Sequence, residues 1–354
     1  MKTPITPAKR RGGVGSGGGS GGGSGGVART WLVLALAAAA ATTAPMAGCR
    51  IFGPSQSQQV RAQSQDLLAN AQELRGQGRD EEALAYLIQA IAINPTLTSA
   101  YMTSGEIHRE RGDYGAAEQS FRRAAELEPS NFDAQFSHGL ALQLLERLTE
   151  AVRAYLRALS LRPQDFDANL NLATAYLQLN EPRQALSYAR RAVSINSRDG
   201  AARVNLGSVY AALGRHNEAV LEYQAAAELM EPASPLLLNL ADSLGQAGRH
   251  QEMLNTLEQA LRIEPTAQAY ERMGFAHFRL RDYGMALESF QNALRLDRNH
   301  YPALNGVGVC LLNQYLTGGR VDHDARDAAI EALRRSVRIN RDQPRIIELI
   351  SRYG

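Results

Sequence analysis

The chain has 354 residues, is 44% hydrophobic but only 6% aromatic, and carries a net charge of +2. Five of its 38 basic residues (Lys2, Lys9, Arg10, Arg11 and Arg29) and none of its 36 acidic ones lie in residues 1–48, so the rest is net −3 and contains no lysine. That balance does not make a phosphate-binding surface, and nucleic acid is not an expected partner.

Residues 12–26 hold eleven glycines spaced by Ser16, Ser20 and Ser24. Such a tract cannot bury a core and has the composition of a flexible linker; a start at Val27 would remove it. Arg29 then precedes an uncharged run, residues 31–41, followed by Met46, Ala47, Gly48 and Cys49. A basic flank, a short apolar core and a small-residue exit read as an export signal, because a spanning helix needs roughly 20 apolar residues. The ending resembles a bacterial lipoprotein signal, with Met46 where such signals usually have leucine. The resemblance implies that Cys49 is lipidated and anchors the chain on the periplasmic side of the envelope, with Arg50 in place of the aspartate of inner-membrane retention. A plain cleaved signal and an uncleaved anchor over residues 31–48 are the other readings. Arg10 and Arg11 lie too far from the apolar core for a twin-arginine signal. Residues 49–63 read as a tether.

From residue 64 to 343 a 34-residue pattern appears. Small residues recur at Ala71, Gly105, Gly139, Ala173, Gly207, Ala241, Gly274 and Gly308. A second set follows at Ala83, Ala117, Ala151, Ala185, Ala219, Met253, Ala286 and Ala329, and a third seven residues on, from Ala90 to Ser336. Between the last two sits a residue that is usually large: Leu87, Phe121, Tyr155, Ala189, Tyr223, Leu257, Phe290 and Leu333. Spacings of 3, 4 and 7 put these on one helical face. Small slots let paired helices approach, and the large residue fills what remains. Pro95, Pro129, Pro163 and Pro265 end units, and Gly78, Gly112, Asn180, Gly214 and Gly248 mark turns inside them.

This register resembles the tetratricopeptide repeat family over about 290 residues. The resemblance implies an all-α, right-handed superhelical solenoid of eight helix-turn-helix hairpins, starting near residues 64, 98, 132, 166, 200, 234, 267 and 301. The unit after Ser234 is one residue short, and the last carries about nine extra residues around 317–327. Residues 344–354 read as a helix capping the open end, since Ile346, Ile347, Leu349 and Ile350 alternate with polar groups.

Function is expected in the concave groove that such a stack forms with its first helices. The family's inward positions fall here on Phe136, Leu140, Leu144, Leu170, Leu177, Val204, Leu238, Phe275 and Phe278. The charges among them are few and acidic: Asp133, Asp167 and Asp242. The resemblance thus implies a partner segment, protein or peptide, that is apolar and mildly basic. Asn171, Asn205 and Asn239, spaced 34 apart, would form a ladder able to bond an extended backbone or, equally, neighbouring helices. Arg320, Asp322, His323 and Asp324 could meet a metal, but a solvated loop is the expected reading. His108, His138 and His277 read as packing or groove residues, and Cys310 as a buried small hydrophobe. No nucleophile–base grouping, phosphate loop or dinucleotide fingerprint occurs, so neither an enzyme nor a cofactor is expected. The expectation is an envelope-anchored scaffold or assembly factor; the alternative is an accessory subunit of an envelope enzyme. The sequence does not decide the oligomeric state.

Overall fold

The computed structural model describes residues 55–354, and within them every regular element is an α-helix. The first eight are α1 (Gln56–Gly76), α2 (Asp80–Ile93), α3 (Thr98–Glu110), α4 (Tyr114–Leu127), α5 (Phe132–Leu144), α6 (Leu148–Leu161), α7 (Phe166–Gln178) and α8 (Pro182–Ile195). Then follow α9 (Gly200–Ala212), α10 (His216–Leu229), α11 (Ser234–Gln246), α12 (His250–Ile263), α13 (Ala267–Arg279), α14 (Tyr283–Leu296), α15 (Tyr301–Thr317), α16 (His323–Ile339) and α17 (Pro344–Tyr353). Successive helices pair as eight hairpins, α1 with α2 through α15 with α16, and α17 packs on α16. The result is an all-α superhelical repeat array.

The tether expected over residues 49–63 is shorter than its sequence suggested. Ser55 starts α1 with a reciprocal capping box: its hydroxyl accepts from the Gln58 N–H, and Gln58 Oε1 accepts from the Ser55 N–H at 2.8 Å. Residues 56–63 therefore add about two turns to the first helix. Cys49 and the apolar run before it lie outside the described residues. Among the described residues no helix is long and apolar enough to cross a membrane.

Each hairpin is held by an exchange of volume between its two helices. In four hairpins where the first helix has glycine, the second presents a ring: Gly105 faces Phe121, Gly139 faces Tyr155, Gly207 faces Tyr223 and Gly274 faces Phe290, while in the last hairpin Gly308 faces Leu333. Where the first helix has alanine, the matching slot holds no ring: Ala71 goes with Leu87, Ala241 with Leu257 and Ala173 with Ala189. All these residues are buried. In the hairpin with two alanines, Tyr176 and Tyr188 stack alongside at 5.9 Å between centroids. Close packing at this density leaves no room for a methyl group on both partners. The same exchange admits Met253 at an alanine slot, since its sulfur lies against Gly245.

Between hairpins, polar links add to an apolar core that is shared from one hairpin to the next. Asn131, Asp165 and Asp199 cap α5, α7 and α9 by accepting from the N–H groups of Ala134, Ala168 and Ala202. Such a cap contributes about 1 kcal/mol. Four consecutive first helices also donate a side chain back to the preceding loop. Tyr101 reaches the Pro95 carbonyl at 3.3 Å, Gln135 the Pro129 carbonyl at 3.4 Å, Asn169 the Pro163 carbonyl at 3.1 Å and Arg203 the Ser197 carbonyl at 3.0 Å. These donors fix the angle at which each hairpin leaves the last.

The extra residues of the last unit are mostly helical and do not make a long solvated loop. They lengthen α15 and α16 to 17 residues each, about one turn more than their counterparts, so the hairpin tip protrudes. Its turn is tight, with Gly319 and Arg320 both at positive φ. At the end of the array, Ile346, Leu349, Ile350 and Tyr353 of α17 cover Leu312, Ala329 and Leu333. Buried Gln343 ties this helix down, accepting from Asn305 at 2.6 Å and donating to Ser336 at 3.0 Å.

Replacing Gly139 by alanine tests the exchange of volume. In an ordinary helix interior the change gains about 0.5–1 kcal/mol. Here a Cβ would fall 2.8 Å from the Tyr155 ring, so overpacking should instead cost about 1–3 kcal/mol. Gly139→Ala with Tyr155→Leu recreates the Ala71–Leu87 pairing, and the double variant should be more stable than the sum of the single changes, as read by chemical denaturation.

Candidate functional site

First helices of neighbouring hairpins touch one another, as in α1 with α3, α5 with α7, α7 with α9, α9 with α11, α11 with α13 and α13 with α15, whereas second helices do not pack comparably on one another. The array therefore bends with its first helices on the inside, and the inner surface is built from equivalent positions of α5, α7, α9, α11 and α13.

One row on that surface is Phe136, Leu170, Val204 and Leu238, each 34 residues after the last. All four are half-buried, as are Leu140, Leu144, Leu177 and Phe278. Phe136 stacks on Phe132 and tilts against Tyr155, both at 5.8 Å. Leu177, Val204 and Leu238 lean on the core around Leu206, Tyr210 and Leu240, and Phe278 on the core around Phe290. These residues therefore offer edges and methyl groups to the groove, with their bodies in the fold. Phe275 alone among the apolar candidates is exposed, at 39%, with the His250 ring edge-on at 6.2 Å and the Arg279 guanidinium 6.0 Å from its centre.

The three asparagines do not share one environment. Asn171 is half-buried and Asn239 exposed. Asn205 is 8% exposed, and its amide donates to the Thr174 hydroxyl at 2.8 Å, tying α9 to α7. Gln143 makes an equivalent link from α5 to Gln178 of α7 at 2.9 Å. The acids expected at the groove differ too. Asp133 is exposed and pairs with Arg162 at 3.6 Å, and Asp167 is exposed.

Charge is distributed along the inner surface by position. In α5, α7 and α9 the residues that continue the inner rows are neutral: Phe136, Ser137, Leu140, Gln143 and Leu144, then Leu170, Asn171, Thr174, Leu177 and Gln178, then Val204, Asn205, Ser208, Ala211 and Ala212. Toward the ends, inner helices are bridged by ion pairs. Arg75 of α1 binds Glu106 and Glu110 of α3, and Arg272 of α13 grips Asp242 of α11 through two bonds, one of them 2.6 Å long. The charge-poor groove expected from sequence is thus confined to the middle hairpins.

Models described as tetratricopeptide repeat match residues 55–206, 201–230, 234–266 and 267–300, which together make up most of the chain. This is a tetratricopeptide-repeat protein. Solved structures agree in fold. A tetratricopeptide repeat protein from Parabacteroides merdae aligns over 71% of this chain and 99% of its own at a TM-score of 0.51 and 18% identity. The C-terminal part of a repeat-containing protein from Cytophaga hutchinsonii gives 0.55 at 15% identity, over 68% of this chain and 99% of that one. A chain of the APC/C Cut9–Hcn1 hetero-tetramer gives 0.52 at 20% identity, over 81% of this chain and 55% of that one. No curated sequence matches.

Within the repeat array, sequence reasoning passed over Glu271 and Arg272. They occupy on α13 the slots held by Leu238 and Asn239 on α11, displaced by one because the intervening unit is a residue short. The same register that located Phe275 would have found them. Both Asp242 oxygens are held by Arg272, and the Gln268 amide oxygen, turned inward, accepts from the same guanidinium. Glu271 is half-buried, and among the described residues no donor reaches it. Burial pushes its carboxyl above the usual glutamate range, and nearby Asp242 adds to the rise while Arg272 opposes it.

The Asp322–His323–Asp324 group is occupied structurally. Asp322 caps α16 through the Ala325 N–H at 2.9 Å and accepts from Gln314 at 2.8 Å, while His323 lies 6.0 Å from the Tyr315 ring. Among the described residues no three His, Cys, Asp or Glu side chains converge as a metal site. Cys310 is buried, and its thiol is pushed up to about 11 by desolvation, so it is not a ready nucleophile. His138, also desolvated and held below its usual range, meets buried Glu118 at 3.3 Å between hairpins.

Glu271 makes the stability of the free protein depend on pH in a defined direction. Its folded pKa exceeds the unfolded one, so the unfolded chain releases this proton first. Its contribution to stability is intact below the ordinary glutamate range and is lost as pH rises through the raised folded value. Glu271→Gln should therefore raise the melting temperature at neutral pH, and the gain should vanish at mildly acid pH in matched thermal scans.

Proposed function

We propose that this protein is a scaffold that holds a segment of another protein along its inner surface, and that a lipid on Cys49 anchors it on the periplasmic side of a bacterial envelope. The observation that carries the first part is the neutral stretch over α5, α7 and α9, fifteen inner-row positions without a charge, the acids Asp133 and Asp167 being confined to the first turns of α5 and α7. Its apolar edges are half-buried and periodic, so each buries little alone, while a segment laid across three hairpins covers them all. Hydrogen bonds from Gln143 to Gln178 and from Asn205 to Thr174 join α5 to α7 and α9 to α7 and hold the spacing of that stretch, which preorganises it. The anchor rests on the order of basic flank, apolar run and Cys49 in the sequence. More than one acyl chain on that residue would hold the protein stably where a single chain binds marginally. Assembly of an envelope complex is the role that such a tethered scaffold serves.

A photo-crosslinking amino acid placed at Leu170, in cells, should yield adducts with a defined partner, and the same probe at Leu221, which is exposed on the outer helix α10, should not. Adducts from Leu221 alone would move the binding surface to the outer helices. The anchor has its own test in the same strain. Cys49→Ala should abolish labelling by a fatty-acid probe and release the protein from membranes; retention without label would mean that a spanning segment holds it.

A further inference from the structure

The row Phe136, Leu170, Val204 and Leu238 does not stop at α11. Its next slot, on α13, is Glu271. An apolar row that ends in a carboxylate is a chemical discontinuity. Glu271 is half-buried and unpaired among the described residues, while the cation beside it, Arg272, is already bound by Asp242 and Gln268. The surrounding helices take part of this carboxylate's water and give it no donor in return, which is unfavourable for its charged form. Acids on the flanking inner helices have partners by contrast: Asp242 on α11 has Arg272, and Glu106 and Glu110 on α3 share Arg75, while Arg279 at the end of α13 lies toward the Phe275 ring. On α13, Glu271 shares a face with Phe275 and Phe278, four and seven residues on, and Phe275 is the exposed aromatic of the groove. A carboxylate next to an aromatic face suits a guanidinium or ammonium group, which each attracts. Asp242, Glu271 and Arg272 together carry one net negative charge.

We propose that Glu271 is the specificity determinant of the groove, receiving a cationic side chain of a partner segment whose apolar residues lie along Leu170, Val204 and Leu238. The occupant is an apolar segment of a protein with an arginine or lysine at the end nearer the C-terminal hairpins. This rests on the scaffold reading and deepens it. Burial raises the carboxyl pKa in the free protein, and a bound cation would bring it down again.

The test uses the full-length chain, immobilised, and a phage-displayed random-peptide library as probe. Three proteins are compared: the native sequence, Glu271→Gln and Leu170→Arg, each checked for folding by circular dichroism. Peptides taken by the native protein should be apolar with one recurring arginine or lysine. Those taken by Glu271→Gln should keep the apolar pattern and lose the basic residue, and Leu170→Arg should take neither set. For one selected peptide, replacing its arginine by citrulline and mutating Glu271→Gln should each weaken binding about tenfold or more, with little further loss when combined. Apolar peptides without a basic preference on the native protein would overturn the role of Glu271 and leave the groove standing. Peptides indifferent to Leu170→Arg, or no selection at all, would overturn both.

Discussion

Every hairpin in this protein depends on one steric constraint: the space between its two helices holds a ring or a methyl group, and not both. Gly139 under Tyr155 and Ala71 beside Leu87 are two solutions to the same volume. Because the solution is local, each hairpin could satisfy it separately, and neighbouring units mix the two. The inner surface inherits its regularity from this. If the helix separation varied with the side chains that fill it, the row from Phe136 to Leu238 would not be in line.

The constraint inside hairpins is apolar, and between them polar links add direction to a shared apolar core. Side chains that donate to the preceding loop, such as Gln135 and Asn169, and amides that join inner helices, such as Asn205 to Thr174, specify direction as well as contact. Hydrogen bonds are suited to this because they fail when the angle is wrong, whereas apolar packing tolerates rotation. The cost is that a polar residue on the inner surface is not automatically available to a ligand. Asn205 shows this: the residue best placed to bind a peptide backbone already binds Thr174, and its exposure is low.

Fold was legible in the sequence to the extent that it is written in repeated small residues. Starts of hairpins fell where proline, asparagine and aspartate interrupt the 34-residue register, and those signals act within a few residues of where they stand. Residues 56–63 were misread because a glutamine-rich stretch resembles a linker by composition, while the Ser55–Gln58 capping box that starts its helix is two residues at the beginning of that stretch. The extra residues at 317–327 were misread as a loop because spacing counts residues and not turns. For the inner surface, register gave the positions but not their exposure. Whether Leu177 or Phe275 faces solvent depends on how far neighbouring helices overlap, which is a property of the stack. Glu271 was passed over because the row was read as apolar, and a charge in an apolar row looks like its end.

That charge changes what the groove is for. A uniformly apolar surface would hold many segments in many registers, since sliding by one hairpin restores the same contacts. Repetition, which makes the surface easy to build, also makes it degenerate. Breaking the row at one slot with a carboxylate removes the degeneracy: within the row itself a cation in the partner meets a carboxylate at α13, whereas Asp133 and Asp167 stand at the first turns of α5 and α7, off the row. Partial burial without a donor is then unfavourable for the Glu271 carboxylate in the empty protein and is offset in the complex by the partner's cation, which favours one register over the others. In a repeat protein, a single irregular residue in a regular row can fix position as well as partner.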